Sequence, residues 1–381
     1  MRQHIDYSAP LDSLPVGRIK SHFLDSGSFT FWTKAAEYGK VHRCKPARYY
    51  DTKEYQAGIE DYMDGYAAFI KRYEAGIDLY ANVDVIPVPG LTWHNQRYLE
   101  INHALSPVPV VHYGTDLNWL RLYMEKGYPL IGLGGLVGST GTADCIRWLD
   151  RAFELVCSGA DRLPMVKIHG FGVTAYDILV RYPWWSVDSS SWTKIAAFGG
   201  ILVPHKRNSG FVFDEHPYIV NFSSDLAPNK AHNFFTWSPK QQNTVRDWLD
   251  LIEVPLGRFD KEGKAITFGV STRHTERRAA NLMFFERFRR QLPPYPWSFA
   301  SGKRGVSLGG QNLATKAGHK PRPMIVYYSG EGAKANPEIT LQDDAALMLT
   351  YVDFCARGRP TPRFKRVLQV RRQSAKVGGQ M

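Results

Sequence analysis

Six apolar runs in the first half of the chain end in a residue able to do chemistry. Asp25 follows HFL, Asp84 follows YANV, His112 follows PVV, the Gly134 and Gly135 pair follows LIGL, His169 follows MVKI and Asp188 follows WWSV. Two aspartates in different surroundings divide acid–base work from nucleophilic work, and paired glycines let main chain approach a ligand unobstructed. Taken singly, each has a structural explanation: a strand-end aspartate caps the next helix, and a histidine without a partner is an ordinary hydrogen-bonding group. Taken together they describe an anionic pocket with two or three carboxylates, provided the runs that carry them end on one face.

The elements that must position them follow a repeating order. Strand-like runs at 22–26, 79–86, 109–114, 129–135, 165–170, 184–190 and 199–204 alternate with amphipathic segments, as βα units do. Tyr55, Ile59, Tyr62, Tyr66, Phe69 and Tyr73 recur at three and four residues and predict one long helix over 51–75. Further helices are expected near 92–105, 116–126 and 142–158, with a short one before residue 184. Seven such strands in series predict a parallel barrel, whose C-terminal strand ends converge on one face. No GxGxxG opens the first helix, which argues against a dinucleotide-binding sheet. The expected fold is α/β, a TIM-type (β/α)8 barrel with a basic α+β C-terminal extension. Residues 1–205 would hold most of the βα units, and 206–381 the remainder of the barrel, a basic nucleic-acid-binding region and a tail. Within that second part, Ser238 and Pro239 predict the start of a helix inside 232–253. Residues 265–271 and 323–330 read as strands, 273–291 as a basic helix and 341–356 as another helix.

With 44% hydrophobic and 22% charged residues among 381, the composition excludes disordered and low-complexity classes. The absence of an apolar run of about 18 residues, and the charge near Met1, predict a soluble cytoplasmic protein with no membrane contact. Cys44, Cys145, Cys157 and Cys355 form no CxxC pair, so neither a disulfide framework nor a zinc ribbon is expected. The net charge of +12 is uneven: residues 1–200 hold 20 bases and 21 acids, and 201–381 hold 28 and 15. After Asp353 come only bases, among them Arg363, Lys365, Arg366, Arg371 and Arg372. Clustered Lys and Arg neutralise phosphates, so a nucleic-acid partner is expected, against the plainer reading of a solvated tail. The segment 31–51, expected to be a loop leaving the catalytic face, adds Lys34, Lys40, Arg43, Lys45 and Arg48. Bases there would hold the phosphates flanking an extruded nucleotide.

FLDSGSF (23–29), IGLGGLVG (131–138) and SVDSSSW (186–192) resemble, in order and spacing, the DSGGF, GGLAVG and nucleophile segments of guanine transglycosylases of the queuine tRNA-ribosyltransferase type. Ser28 stands where that family has its second glycine, and the likeness spans about residues 20–205. LDSGSFTFW, YANVDVI, PVVHYG, HGFGVT and RYPWWSVDSSSW are most similar to the phage and bacterial members that insert 7-deazaguanines into DNA. The tRNA enzymes carry a CxCxxC-plus-His zinc site after the nucleophile, whereas no cysteine lies between Cys157 and Cys355 here. Only about two dozen residues precede the DSG motif, fewer than in the tRNA enzymes.

The resemblance implies an enzyme that exchanges guanine in DNA for a 7-deazaguanine such as 7-cyano-7-deazaguanine, through a covalent aspartyl-glycosyl intermediate, with no cofactor and no metal. The alternative is a tRNA-guanine transglycosylase lacking the zinc site. DNA and the free base would be its partners, in the host cytoplasm if the gene is a phage's, and a homodimer is open because the tRNA relatives are dimers. The resemblance makes Asp188 the nucleophile and Asp25 the general acid and base. Asp84 would accept from the guanine N1–H and amine, and Gly134 and Gly135 would bring main chain to O6. Ser26, His112 and His169 would lie beside the base, His112 where the tRNA enzymes have a glutamine. His112, His169 and Asp188 also imitate a metal-dependent amidohydrolase, but that class needs an HxH on its first strand, where Asp25 stands here.

Overall fold

The computed structural model describes residues 2–3, 23–136, 142–222, 232–260, 265–301 and 326–327. The expected helix at 341–356 and the basic tail with Arg363, Lys365, Arg366, Arg371 and Arg372 lie outside the described residues. After β1 (Arg2–Gln3) come β2 (Phe23–Leu24), α1 (Phe29–His42), α2 (Lys53–Arg72), β3 (Leu79–Tyr80), α3 (Pro89–His103) and β4 (Val110–His112). Then follow α4 (Asn118–Glu125), β5 (Leu130–Gly134), α5 (Ala143–Val156), β6 (Lys167–Gly170), α6 (Tyr176–Arg181), β7 (Ser186–Val187), α7 (Ser191–Ala197) and β8 (Gly200–Val203).

Local chemistry explains the helices. On α2, Thr52 caps the start by accepting from the Tyr55 N–H, Lys71 and Arg72 close the last turn, and Tyr55, Ile59, Met63, Tyr66 and Ile70 form the buried stripe. On α5, Thr142 accepts from the Cys145 N–H, and Cys145, Trp148, Leu149, Ala152, Phe153 and Val156 face inward. The strands are short and parallel. β2 pairs with β3, and β4, β5, β6 and β7 form one sheet in chain order. A parallel bridge between Ala81 and Val108 joins the two sets, with the Val108 N–H donating to the Tyr80 carbonyl at 2.8 Å. The fold is α/β with parallel sheets. Among the described residues no helix is long and apolar enough to cross a membrane.

Three expectations need correction. The seventh run, β8, does not extend the parallel series. The chain turns back through the hairpin of β9 (His205–Arg207) and β10 (Gly210–Val212), and β11 (Tyr218–Asn221) pairs antiparallel with β8. Without a crossover helix between them, β8 and β11 are left antiparallel. Second, the strand expected over 79–86 ends early, because side-chain amides replace the ladder: Asn82 Nδ2 donates to the Thr92 carbonyl and Asn95 Nδ2 to the Val83 carbonyl, each at 2.8 Å. Third, 31–51 is not a loop but most of α1 followed by a 3-10 turn at Pro46–Asp51. Gly39 makes their packing possible, since a Cβ there would lie 2.9 Å from the Cys44 carbonyl oxygen.

The basic helix expected over residues 273–291 is present, and it is a core element. After α8 (Pro239–Leu251), capped by Ser238 and Gln241 in a capping box, and the hairpin of β12 (Arg258–Phe259) and β13 (Ala265–Thr267), α9 (His274–Gln291) buries Asn281, Phe284, Phe285 and Phe288. Its buried Arg289 forks onto Glu286 at 2.9 and 2.6 Å, so those charges are spent internally. Asn281 accepts from the Leu202 N–H at 2.7 Å and donates to the Trp192 carbonyl at 2.9 Å, tying α9 to β8 and α7. One apolar core includes residues from both sides of residue 205: Phe153 meets Phe299 with ring centroids 5.9 Å apart. β14 (Val326–Tyr327) pairs antiparallel with β1.

Candidate active site

The parallel register arranges the inward positions in layers. Gly132 stands opposite Val110 and His169, and His169 opposite Ser186. His169 is fully buried, its Nδ1 2.7 Å from the Ser186 hydroxyl, and its ring meets Phe171 edge-on at 4.5 Å. Phe23 on β2 also meets His169 edge-on, at 5.2 Å. β3, β4 and β5 separate β2 from β6 in the pairing order, so the strands curl until the first and fifth face one another. Gly132 permits this layer: a Cβ there would fall 2.3 Å from the Phe171 ring.

Side chains alternate along a strand, so residues two beyond Phe23 and Ser186 leave toward the same side, past the His169 ring. Those residues are Asp25 and Asp188. Asp188 is 7% exposed, and its Oδ1 accepts a hydrogen bond from the Gly172 N–H, which orients the carboxylate. Asp25 is half-buried. Burial holds its carboxyl above the usual range and the nearby Asp84 charge raises it further, while main-chain N–H groups of Gly27 and Ser26 pull the other way. The two carboxylates thus sit in different surroundings.

Asp84, on the stretch released from β3, lies with its Oδ2 2.6 Å from His112 Nε2. His112 is 1% exposed and Asp84 14%. His112, expected beside a bound base, stands against the carboxylate expected to recognise that base. Around Asp84 are phenols whose ionisation burial opposes and the Asp84 charge opposes further; Tyr55 is pushed up to about 12. Gly134 and Gly135 flank the same histidine. A Cβ on Gly134 would sit 3.4 Å from His112 Cδ2, and Gly135 has a left-handed φ of 69°. A Cβ at either glycine would thus touch His112 at ordinary van der Waals distance, and the tighter neighbour of Gly134 is Val110, 3.1 Å away.

The Ser26 side chain is engaged within the protein. It is fully buried, its hydroxyl lies 2.7 Å from that of Ser28, and its carbonyl accepts from the Tyr62 hydroxyl at 2.6 Å. Ser28, in place of a glycine, is thus one half of a brace under the DSG turn. His169 also belongs to the packing beneath the carboxylates, set by Ser186, Phe23 and Phe171. Sequence reasoning missed Ser186, Phe171 and Tyr62, although Ser186 stands two residues before Asp188, the spacing of one strand face.

The basic residues of the 31–51 segment are all exposed. Lys34 lies 3.7 Å from Glu54 and Arg48 3.3 Å from Asp51. α1 starts at the DSG turn, so Lys40, Arg43 and Lys45 stand at its far end, about 15 to 20 Å along the axis at 1.5 Å per residue. They extend a basic surface away from the site rather than hanging over it. Among the described residues, no group of three or more His, Cys, Asp or Glu side chains is placed to hold a metal ion. Comparison with models of protein families, with curated proteins and with solved structures finds no match to this chain.

Proposed function

We propose that the chain is a DNA guanine transglycosylase that replaces guanine with a 7-deazaguanine, built on a parallel barrel of the TIM type. The observation that carries the reading is the pair Asp25 and Asp188, which follow β2 and β7 beside one layer of Phe23, His169 and Ser186 and differ in their surroundings. The six parallel strands and their curl support the barrel.

In the reaction, the bond from C1′ to the purine N9 breaks with its electron pair leaving on the base. The Asp188 carboxylate captures the oxocarbenium-like carbon as a glycosyl ester. Asp25, whose burial favours the acid form, delivers a proton to the departing guanine. The incoming 7-deazaguanine then gives a proton to Asp25 as its N9 displaces the ester. Asp84 accepts from the donor edge of either base, and the main chain at Gly134 and Gly135 serves the opposite edge. The exposed bases on and after α1 serve the phosphates of a strand whose target nucleotide has been flipped out.

The test is nucleoside mass spectrometry on DNA and tRNA from cells that express the protein and are fed a 7-deazaguanine. Modified nucleoside in DNA is the expected result. Modification of tRNA alone would move the substrate to tRNA, and modification of neither would contradict base exchange.

A further inference from the structure

His112 Nδ1 is buried and has no hydrogen-bond partner among the described residues, while Nε2 on the same ring lies 2.6 Å from Asp84 Oδ2. The two nitrogens cannot be treated alike. A proton on Nδ1 would be a buried donor with nothing to receive it, and orphaned buried donors are rarer than under-satisfied acceptors. A ring protonated on both nitrogens would bury a charge on the same unpaired side. The one arrangement that spends its proton well is the neutral ring with hydrogen on Nε2, donating to Asp84.

We infer that His112 is a positioning residue, locked as the Nε2–H tautomer, which holds one oxygen of Asp84 and presents the remaining carboxylate oxygen as an acceptor for a purine donor edge. The surroundings leave the ring little freedom. The side chain is 1% exposed, and Thr115 Oγ1 donates to the His112 carbonyl at 2.7 Å. A carboxylate tethered at one oxygen discriminates better than a free one, because rotation away from a ligand that lacks a donor is blocked and the mismatch stays unpaired. The recognition half of this inference rests on the proposed function; the tautomer half stands on geometry alone.

Two measurements on the full chain test it. Long-range nitrogen–proton NMR of the wild type at neutral pH should show His112 with hydrogen on Nε2 and a bare Nδ1. Hydrogen on Nδ1 overturns the inference whatever the protein does. Competition between guanine and hypoxanthine, which lacks the exocyclic amine, is then measured for wild type, Asp84→Asn, His112→Asn and His112→Gln, each checked for folding by circular dichroism. His112→Asn should lower the preference for guanine about tenfold, the order expected when a hydrogen bond to a charged group is lost. His112→Gln, whose amide nitrogen reaches about as far as Nε2, should restore most of it. If Asp84→Asn lowers the preference and His112→Asn does not, this inference falls and the proposed function stands. If neither substitution changes it, guanine recognition by Asp84 falls as well.

Discussion

Burial and the Asp84 charge raise the Asp25 carboxyl above the ordinary 3.8, so between that value and the folded one Asp25 holds a proton that the unfolded chain has released. The stabilisation from that proton is complete below the unfolded value and is lost as pH rises through the folded one. Between the two the folded state binds one more proton, so stability falls by about 1.4 kcal/mol per pH unit. Asp25→Asn keeps the shape without the charge. Its melting temperature should come close to that of the wild type at low pH and exceed it above the folded value, with base exchange lost. A melting difference that is the same at every pH would contradict the raised carboxyl. The residues of the site were only partly legible in sequence. Each carboxylate could be named from its place after an apolar run, but Asp84 meets His112 across 28 residues and His169 meets Ser186 across 17, and no local pattern encodes such pairs.

At the scale of elements, the closest fit is beneath the carboxylates. Gly132→Ala would drive a methyl into the Phe171 ring, and the rearrangement should destabilise the fold by about 1–3 kcal/mol in urea titration, with weakened exchange because Phe171 packs on His169. An unchanged midpoint would mean that Phe171 moves without cost. Asn281→Leu tests the other join. It leaves the Leu202 N–H and the Trp192 carbonyl without their amide partner, and should cost about 2–6 kcal/mol, at about 1–3 for each buried group left unpaired. Helices α2, α5 and α8 were legible because caps and periodic apolar faces are local signals. The direction of β8 was not, since an apolar run of four residues reads alike in a parallel or an antiparallel pair. α1 was missed because only Ala35 and Gly39 of its 14 residues are buried, too few to mark an apolar face.

For the whole molecule, the uneven charge gives the largest effect. A pair such as Arg289 with Glu286 is neutral and leaves the basic excess in place, and under the proposed function the exposed bases of α1 and those after Asp353 would supply affinity for a polyanion. Removing residues 357–381, with their eight bases, should flatten the dependence of log affinity for duplex DNA on log salt by a few units, at about 0.9 per phosphate neutralised. An unchanged slope would assign binding to the folded surface. The base-exchange chemistry is tested most directly by incubating the full chain with DNA and resolving it on a denaturing gel, for wild type and Asp188→Ala. The wild type should form a protein–DNA adduct that free guanine or a 7-deazaguanine discharges, and Asp188→Ala should form none while still binding DNA. An adduct that persists in Asp188→Ala would contradict the assignment of the nucleophile, and its absence from the wild type under conditions of base exchange would contradict the covalent mechanism.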